Sequence, residues 1–368
     1  MKTDDPFLSS QLITCIGNKR SLLPFINRTV EGIKKRLDRK KLKVLDGFSG
    51  SGAVSRLLKE HASELWANDL EDYCEILSRC YLTNRSGVDL KRIEETVRAL
   101  NVRKLSPKKN PGFIEKNYAP KNDDNIRPGE RVFYTNRNAK ILDNLKSFIF
   151  AEVPAGERPF YLAPLLVQAS IHTNTSGVFK GFHKKNGLGW FGGRGENALD
   201  RIKKEIFLEM PVLGKTECAV RVTKMDANTL ARTARSKESF DLAYFDPPYN
   251  QHPYGSNYFM LNLLANEKKL PIQNGVSGIV RDWKRSSYNK AGKAREAMES
   301  LLTDTPAKFI LVSYNDEGLI PAGDFRTILG KLGKYEMLEQ DYNTYRGSRN
   351  LGGRSIKVRE RLWVLEKK

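Results

Sequence analysis

The strongest constraint on the fold is the pattern at residues 43–69, where an apolar run, a glycine-rich turn, a helical pattern and a second apolar run follow one another. This order is typical of two parallel strands joined by a helix, because parallel neighbours need a long crossover connection. Further apolar runs at residues 219–226, 240–249 and 308–316 each end in an acidic residue or a turn. We expect an α/β fold with a mostly parallel sheet, helices on both faces and ligands bound at the strand ends.

The stretch between these blocks differs in composition. Residues 85–209 are rich in Lys, Arg, Asn and Gly and have poor strand periodicity, with an amphipathic helical pattern at 88–105. We interpret this stretch as an insertion into a discontinuous catalytic domain formed by residues 1–84 and 210–368. The end of that domain should form an antiparallel hairpin, with strands near residues 342–346 and 361–365.

Charge limits the possible partners. The 63 Lys and Arg residues outnumber the 43 Asp and Glu residues and leave a net charge of +20, which favours nucleic acid as a partner. The longest apolar stretch, near residues 160–171, is too short for a membrane span. The four cysteines form no CxxC pair and lie far from the histidines, so we expect neither a metal site nor disulfides. We also expect a cytoplasmic location.

A cofactor site is predicted at the glycine-rich turn of residues 46–52. Glycines there let the backbone turn tightly and approach a ligand. The order D-x-F-x-G-x-G departs from the G-x-G-x-x-G of dinucleotide sites and better suits the amino-acid and sugar parts of S-adenosylmethionine. The candidate residues are Asp46, Phe48, Ser49, Gly50 and Gly52.

Further polar residues could complete this site, each with a simpler alternative. Asp69 ends the second strand and could accept hydrogen bonds from ribose hydroxyls, or only cap a helix. Asp226 could receive the cofactor's adenine amine, or likewise act as a cap. Asn18 and Lys19 precede an apolar helix and could contact the cofactor's carboxylate, although a solvated lysine is the alternative.

The most specific feature is Asp246-Pro247-Pro248-Tyr249, which follows a short buried strand. Each proline fixes φ and lacks an N–H group, so the loop is stiff and offers only acceptors. Acceptors suit an exocyclic amine whose lone pair is delocalised: the Asp246 carboxylate and the Pro247 carbonyl can each accept one amine hydrogen and direct the lone pair at a methyl donor. Tyr249 can stack on a base rotated out of the duplex.

These motifs together resemble the Dam-type (D12 class) DNA adenine-N6 methyltransferases of bacterial restriction-modification systems. Residues 16–19 are similar to the family's N-terminal cofactor motif, 46–52 to its glycine loop, Asp69 to its ribose acid and 246–249 to its catalytic motif. The resemblance implies a Rossmann-like, S-adenosylmethionine-dependent methyltransferase sheet with an inserted target-recognition domain. It also implies N6-adenine methylation in double-stranded DNA, with a separate restriction endonuclease as a companion. Cys15 replaces an aromatic residue usual in the family.

Sequence recognition is assigned to the insertion. Residues 177–195 interleave glycines, aromatics and cations, as expected of a loop or hairpin that enters a groove, although a solvated loop is the alternative. Further cations follow the catalytic loop and lie in the final hairpin. The candidate DNA contacts are Lys180, His183, Lys184, Lys185, Trp190, Arg194, Lys284, Arg285, Arg346 and Arg349.

Two other functions fit the same motifs. An RNA methyltransferase acting on an exocyclic amine could use the Asp-Pro-Pro-Tyr loop in the same way. A non-catalytic DNA-binding specificity subunit could keep the fold and lose the chemistry.

Overall fold

The structure, a computed structural model, describes residues 5–193, 195–268, 270–343 and 357–368. The strands within those ranges are β1 (Leu42–Asp46), β2 (Ala62–Asp69), β3 (Lys184–Lys185), β4 (Leu188–Gly189), β5 (Ala219–Lys224), β6 (Phe240–Phe245), β7 (Ala307–Asn315), β8 (Gly333–Asn343) and β9 (Lys357–Lys367). The α-helices there are α1 (Pro6–Ser9), α2 (Leu23–Leu37), α3 (Ala53–His61), α4 (Asp72–Tyr81), α5 (Leu90–Arg103), α6 (Phe113–Tyr118), α7 (Asn136–Glu152), α8 (Pro159–Ile171), α9 (Leu199–Lys203), α10 (Ala227–Ala234), α11 (Tyr254–Asn257), α12 (Phe259–Ala265), α13 (Ala291–Asp304) and α14 (Ala322–Leu332).

A seven-stranded sheet forms the centre of the fold, in the order β5-β2-β1-β6-β7-β9-β8. The first five strands in this order are parallel, and β9 runs antiparallel to both β7 and β8. The predicted parallel α/β sheet is therefore confirmed. Because β1 connects to β2 on one side and neighbours β6 on the other, the strand order reverses beside β1, where open α/β sheets bind ligands.

Both faces of the sheet are covered by helices, as predicted. Successive side chains of a strand point to opposite faces. Leu242 and Tyr244 of β6 therefore join a core with α2 and α3, while Ala243 and Phe245 join another with α10, α13 and α14.

The terminal hairpin is present, but its predicted first strand was misplaced. Strand β8 begins at Gly333, well before the predicted start at residue 342, and residues 344–346 lie outside the described part of the chain. The reason is that β8 is an edge strand with many exposed polar side chains, so its hydrophobic alternation is weak.

The inserted region is mainly helical and packs on the sheet domain. Its predicted amphipathic helix is α5, and the longest apolar stretch is α8. Buried side chains of α5, α7 and α8 share one hydrophobic cluster with α4 and α12. The division at residues 85–209, and the assignment of this region to DNA recognition, stay predictions. In the described ranges, no helix combines the length and apolar character that crossing a bilayer requires.

Candidate active site

A cleft opens at the carboxyl edge of the sheet, beside β1. Gly50 of the glycine-rich turn, Asp69 at the end of β2, Asp226 after β5 and Asp246 after β6 all line it. The carboxyl ends of neighbouring parallel strands meet at one edge, which brings together residues far apart in sequence. The cleft holds about 920 Å³ of space between atoms, part of it open to solvent.

Asp69 joins the glycine-rich turn to the second strand. The backbone N–H groups of Gly50 and Glu71 donate to its two oxygens at 2.8 and 3.0 Å. Gly50 and Gly52 have φ values of +52° and +79°, which side-chain-bearing residues rarely adopt. The turn is thus held open by glycine geometry and by the carboxylate.

Asp46 lies beneath the cleft and is not among its lining residues. It is fully buried, and its oxygens accept from the Ser55 hydroxyl at 2.5 Å and the Phe48 N–H at 3.3 Å. Burial raises the pKa of Asp46 to about 7. This geometry supports a role in holding the turn rather than direct contact with a ligand. Gly52, at the start of α3, is also absent from the lining, whereas Phe48 and Ser49 line it.

Asn68 was not singled out from sequence, yet it connects three strand ends. Its side-chain amide donates to the carbonyls of Gly47 and Met225, and its oxygen accepts from the Met225 N–H and the Thr223 hydroxyl. It is 1% exposed. The signal in the sequence was an amide side chain one residue before the acid that ends the predicted strand.

Asp226 performs its simpler predicted role and also faces the cleft. Its Oδ1 accepts the Thr229 N–H at 3.0 Å, which caps α10. Since one oxygen makes the cap, the other is left for a ligand.

The catalytic loop places Asp246 against the N-terminal segment. Oδ1 of Asp246 lies 3.0 Å from Nζ of Lys19, which lies 3.0 Å from Oε1 of Glu360. Burial, more than the nearby charges, raises the pKa of Asp246 to about 7; Lys19 lowers it and Glu360 raises it.

The other loop residues differ in position. Pro248 lines the cleft and Pro247 is buried. A Cβ on Gly17 would lie 3.2 Å from the Tyr249 hydroxyl, so Tyr249 packs closely against the N-terminal segment. Asn18 also lines the cleft, and its Oδ1 accepts the Arg20 N–H at 2.8 Å.

Four of the predicted DNA contacts lie in or just before the β3–β4 hairpin of the inserted region. Lys184 and Lys185 form the exposed strand of the β3–β4 hairpin, and Lys185 Nζ lies 4.6 Å from the centre of the exposed Trp190 ring. Lys180 and His183 are partly buried in the loop before it. That loop is tied to the region after the catalytic loop, because the Phe179 N–H donates to the Asn257 carbonyl at 2.7 Å.

Lys284 lines the cleft with a side chain that is 35% exposed, and its Nζ donates to the Leu70 carbonyl at 2.6 Å. Arg285 is exposed and stacks on Trp283 at 4.2 Å. Arg194, Arg346 and Arg349 lie outside the described residues.

Known proteins were compared with this chain. The type II methyltransferase M.CviAII of Paramecium bursaria Chlorella virus 1 is 28% identical over 347 residues, covering 93% of this chain and 95% of the relative. The type II methyltransferase M.NlaIII of Neisseria lactamica is 28% identical over 334 residues, covering 88% and 90%. The solved rRNA methyltransferase aviRa of Streptomyces viridochromogenes aligns over 98% of this chain and 93% of its own, at 11% identity and a TM-score of 0.32.

The sheet order and the acidic cleft at its switch point define a Rossmann-like α/β protein with a ligand site at the carboxyl edge of the sheet. The sequence profile of the D12 class N6 adenine-specific DNA methyltransferases matches residues 16–328, and the chain belongs to that family. The predicted enzyme class is confirmed, and the family favours DNA over the RNA alternative.

Proposed function

We propose that the enzyme uses S-adenosylmethionine to methylate N6 of an adenine rotated out of double-stranded DNA, with Asp246 as the acceptor for the amine. The observation that carries this proposal is that Asp246, Asp69 and Gly50 line one cleft. An acceptor for the reacting amine thus lies in the same space as the glycine-rich turn suited to the methyl donor.

The residues around the cleft fit S-adenosylmethionine. Oδ2 of Asp69 accepts the Gly50 N–H and Oδ1 accepts the Glu71 N–H, and a carboxylate oxygen can accept a further hydrogen bond, here from a ribose hydroxyl. Leu70, Met225 and Ala227 offer apolar contacts beside Asp226 for an adenine ring. Lys19, Asn18 and Ser49 line the cleft and would face the amino-acid part. When bound, S-adenosylmethionine supplies an electrophilic methyl group on a positively charged sulfur.

The catalytic loop is suited to direct the amine nitrogen. One amine hydrogen would be donated to the Asp246 carboxylate and the other to the Pro247 carbonyl, which turns the nitrogen lone pair towards the methyl group. Because the Asp246 pKa is about 7, the carboxylate form dominates above neutral pH. Tyr249 would stack on the rotated base.

The insertion is the proposed reader of the DNA. The β3–β4 hairpin presents Lys184, Lys185 and Trp190 at the surface, and its preceding loop contacts the region after the catalytic loop. A cation next to an exposed aromatic suits phosphate contact and wedging between bases.

The enzyme should be incubated with methyl-labelled S-adenosylmethionine and either duplex DNA or structured RNA, followed by digestion to nucleosides. We expect label only in DNA, as N6-methyladenine. Label confined to RNA, or on another base, would refute the proposal.

We propose that the enzyme works in the cytoplasm alongside a separate endonuclease of a restriction-modification system. The type II methyltransferase relatives support the link to such a system. Sequencing that detects modified bases in DNA from expressing cells would identify the site and the strand. DNA methylated in this way should resist a nuclease that cuts the same site.

A further inference from the structure

Three charged groups lie in a row that starts at the catalytic loop: Asp246, which lines the cleft, and the buried Lys19 and Glu360. The Lys19 ammonium is 3.0 Å from one oxygen of Asp246 and 3.0 Å from one oxygen of Glu360. Lys19 is 3% exposed and Glu360 is 1% exposed. The two carboxylates share one cation: the Asp246 side chain is 19% exposed at the cleft, whereas Glu360 has little access to water.

Glu360 comes from the far end of the chain, on β9. It pairs with Asn315 of β7 in the sheet register and accepts a short hydrogen bond from the Ser313 hydroxyl. Leu362 and Val364, on the same face of β9, belong to a hydrophobic core. A carboxylate on such a face is costly unless its charge is paired. Lys19 supplies that charge.

We infer that Glu360 is a positioning residue for methyl transfer: it holds the Lys19 ammonium to one side of Asp246, so that the second Asp246 oxygen can receive the substrate amine. This inference rests on the proposed role of Asp246. Without a second carboxylate, the ammonium can move in front of both Asp246 oxygens, because a lysine head group has three donors and a flexible stem. The amine would then compete with Lys19 for its acceptor.

The proposal predicts two separate effects of Glu360→Gln: a lower plateau kcat and an acid limb of the rate profile at lower pH. The plateau value of kcat should fall by about ten- to a hundredfold, because Lys19 is no longer held aside. The acid limb of the rate profile, near pH 7 in the parent enzyme because burial raises the Asp246 pKa to about 7, should move roughly one pH unit lower. Removing the negative charge of Glu360 makes Asp246 easier to ionise. The shift of the limb reports that the Glu360 charge acts on Asp246, so the positioning role itself is tested by the plateau kcat and by its dependence on Lys19.

Glu339→Gln is the matched control, since it removes a carboxylate from the neighbouring strand β8. Glu339 is exposed and pairs with Arg361 at 3.0 Å. We expect its kcat and pH profile to match those of the parent enzyme.

A double-variant cycle tests whether Glu360 acts through Lys19. In a Lys19→Gln background, Glu360→Gln should cause no further fall in plateau kcat, because the group that it positions is absent. Independent, multiplying losses would overturn the inference, as would an unshifted acid limb in Glu360→Gln.

Ser313→Ala provides a second route if Glu360→Gln does not fold. It removes the hydroxyl that donates to Oε1 of Glu360, the oxygen that also pairs with Lys19, and it leaves the charge. Glu360 is then held less firmly, so kcat should fall severalfold in the parent and remain unchanged in the Lys19→Gln background. Equal losses in both backgrounds would overturn the inference. The proposed function is tested separately, by the activity of the parent and Glu339→Gln enzymes on duplex DNA. If both are active, the ratio of kcat between Glu360→Gln and the control measures the effect of Glu360. If both are inactive, the proposed function itself fails.

Discussion

The backbone N–H of Gly50 donates a 2.8 Å hydrogen bond to Oδ2 of Asp69, which links the glycine-rich turn after β1 to the acidic end of β2. The turn and the acid are therefore one structural unit. A substitution at either residue would alter both the shape of the turn and the acceptors offered to a ligand.

Replacing Asp246 by Asn should abolish nearly all methyl transfer. The amide keeps the shape but presents a donor where the reacting amine needs an acceptor, and we expect kcat to fall by about 10²–10³-fold or more. Transfer of labelled methyl groups to duplex DNA measures the loss, and gel-shift affinity should stay close to that of the parent. Asp324→Asn, on α14 and paired with Arg295, is the charge-matched control. Methylation at the parent rate by Asp246→Asn would indicate a non-catalytic role for this residue.

Asp226→Asn separates the two roles of Asp226. Asn caps helices as well as Asp does, so the hydrogen bond from the Thr229 N–H should persist and Tm should change little. The NH₂ group of the Asn side chain would then face the adenine amine of S-adenosylmethionine, so that two donors meet. Kd for S-adenosylmethionine should therefore rise by about tenfold. Isothermal titration calorimetry and thermal unfolding measure the two effects. Unchanged affinity would leave Asp226 as a cap alone.

Glu71→Gln should stabilise the protein increasingly as pH rises above about 4.5, with the full effect reached above about pH 7. Burial raises the Glu71 pKa to about 7, and its Oε2 accepts from Asn262 at 2.6 Å. The folded state thus binds a proton more tightly than the unfolded state, and this group reduces stability as pH rises from about 4.5 to 7. Gln avoids that ionisation, so its free energy of unfolding at pH 8 should exceed the parent's by up to roughly 3 kcal/mol. Urea unfolding at pH 8 and at pH 4.5 checks this, and an equal difference at both values would contradict it.

Lys185→Ala and Trp190→Ala should weaken DNA binding in different ways. Loss of a phosphate contact at Lys185 should lower the slope of log affinity against log salt by about one. Loss of a wedging or stacking ring at Trp190 should weaken binding with little change in that slope. Fluorescence anisotropy across a salt series measures both. Arg98→Ala, on α5 and paired with Glu94, serves as the control, and indistinguishable behaviour of all three variants would exclude the hairpin from the interface.

The local sequence predicted much of the sheet and the cleft. The βαβ pattern and the apolar runs ending in acids were enough to place Gly50, Asp69, Asp226 and Asp246 at one edge. Parallel strands must align their carboxyl ends, so the positions of strand ends already specify which side chains meet.

Only the tertiary structure decided which long-range partners those residues have. The contact of Lys19 with Glu360, the burial of Asp46 beneath the turn and the position of Lys284 inside the cleft depend on how distant segments pack. Strand periodicity specifies which face a side chain occupies, but not which charge from another segment will lie opposite it. The pairing of Lys19 with Asp246 and Glu360 therefore results from tertiary packing, whereas the catalytic loop could be identified from the local sequence.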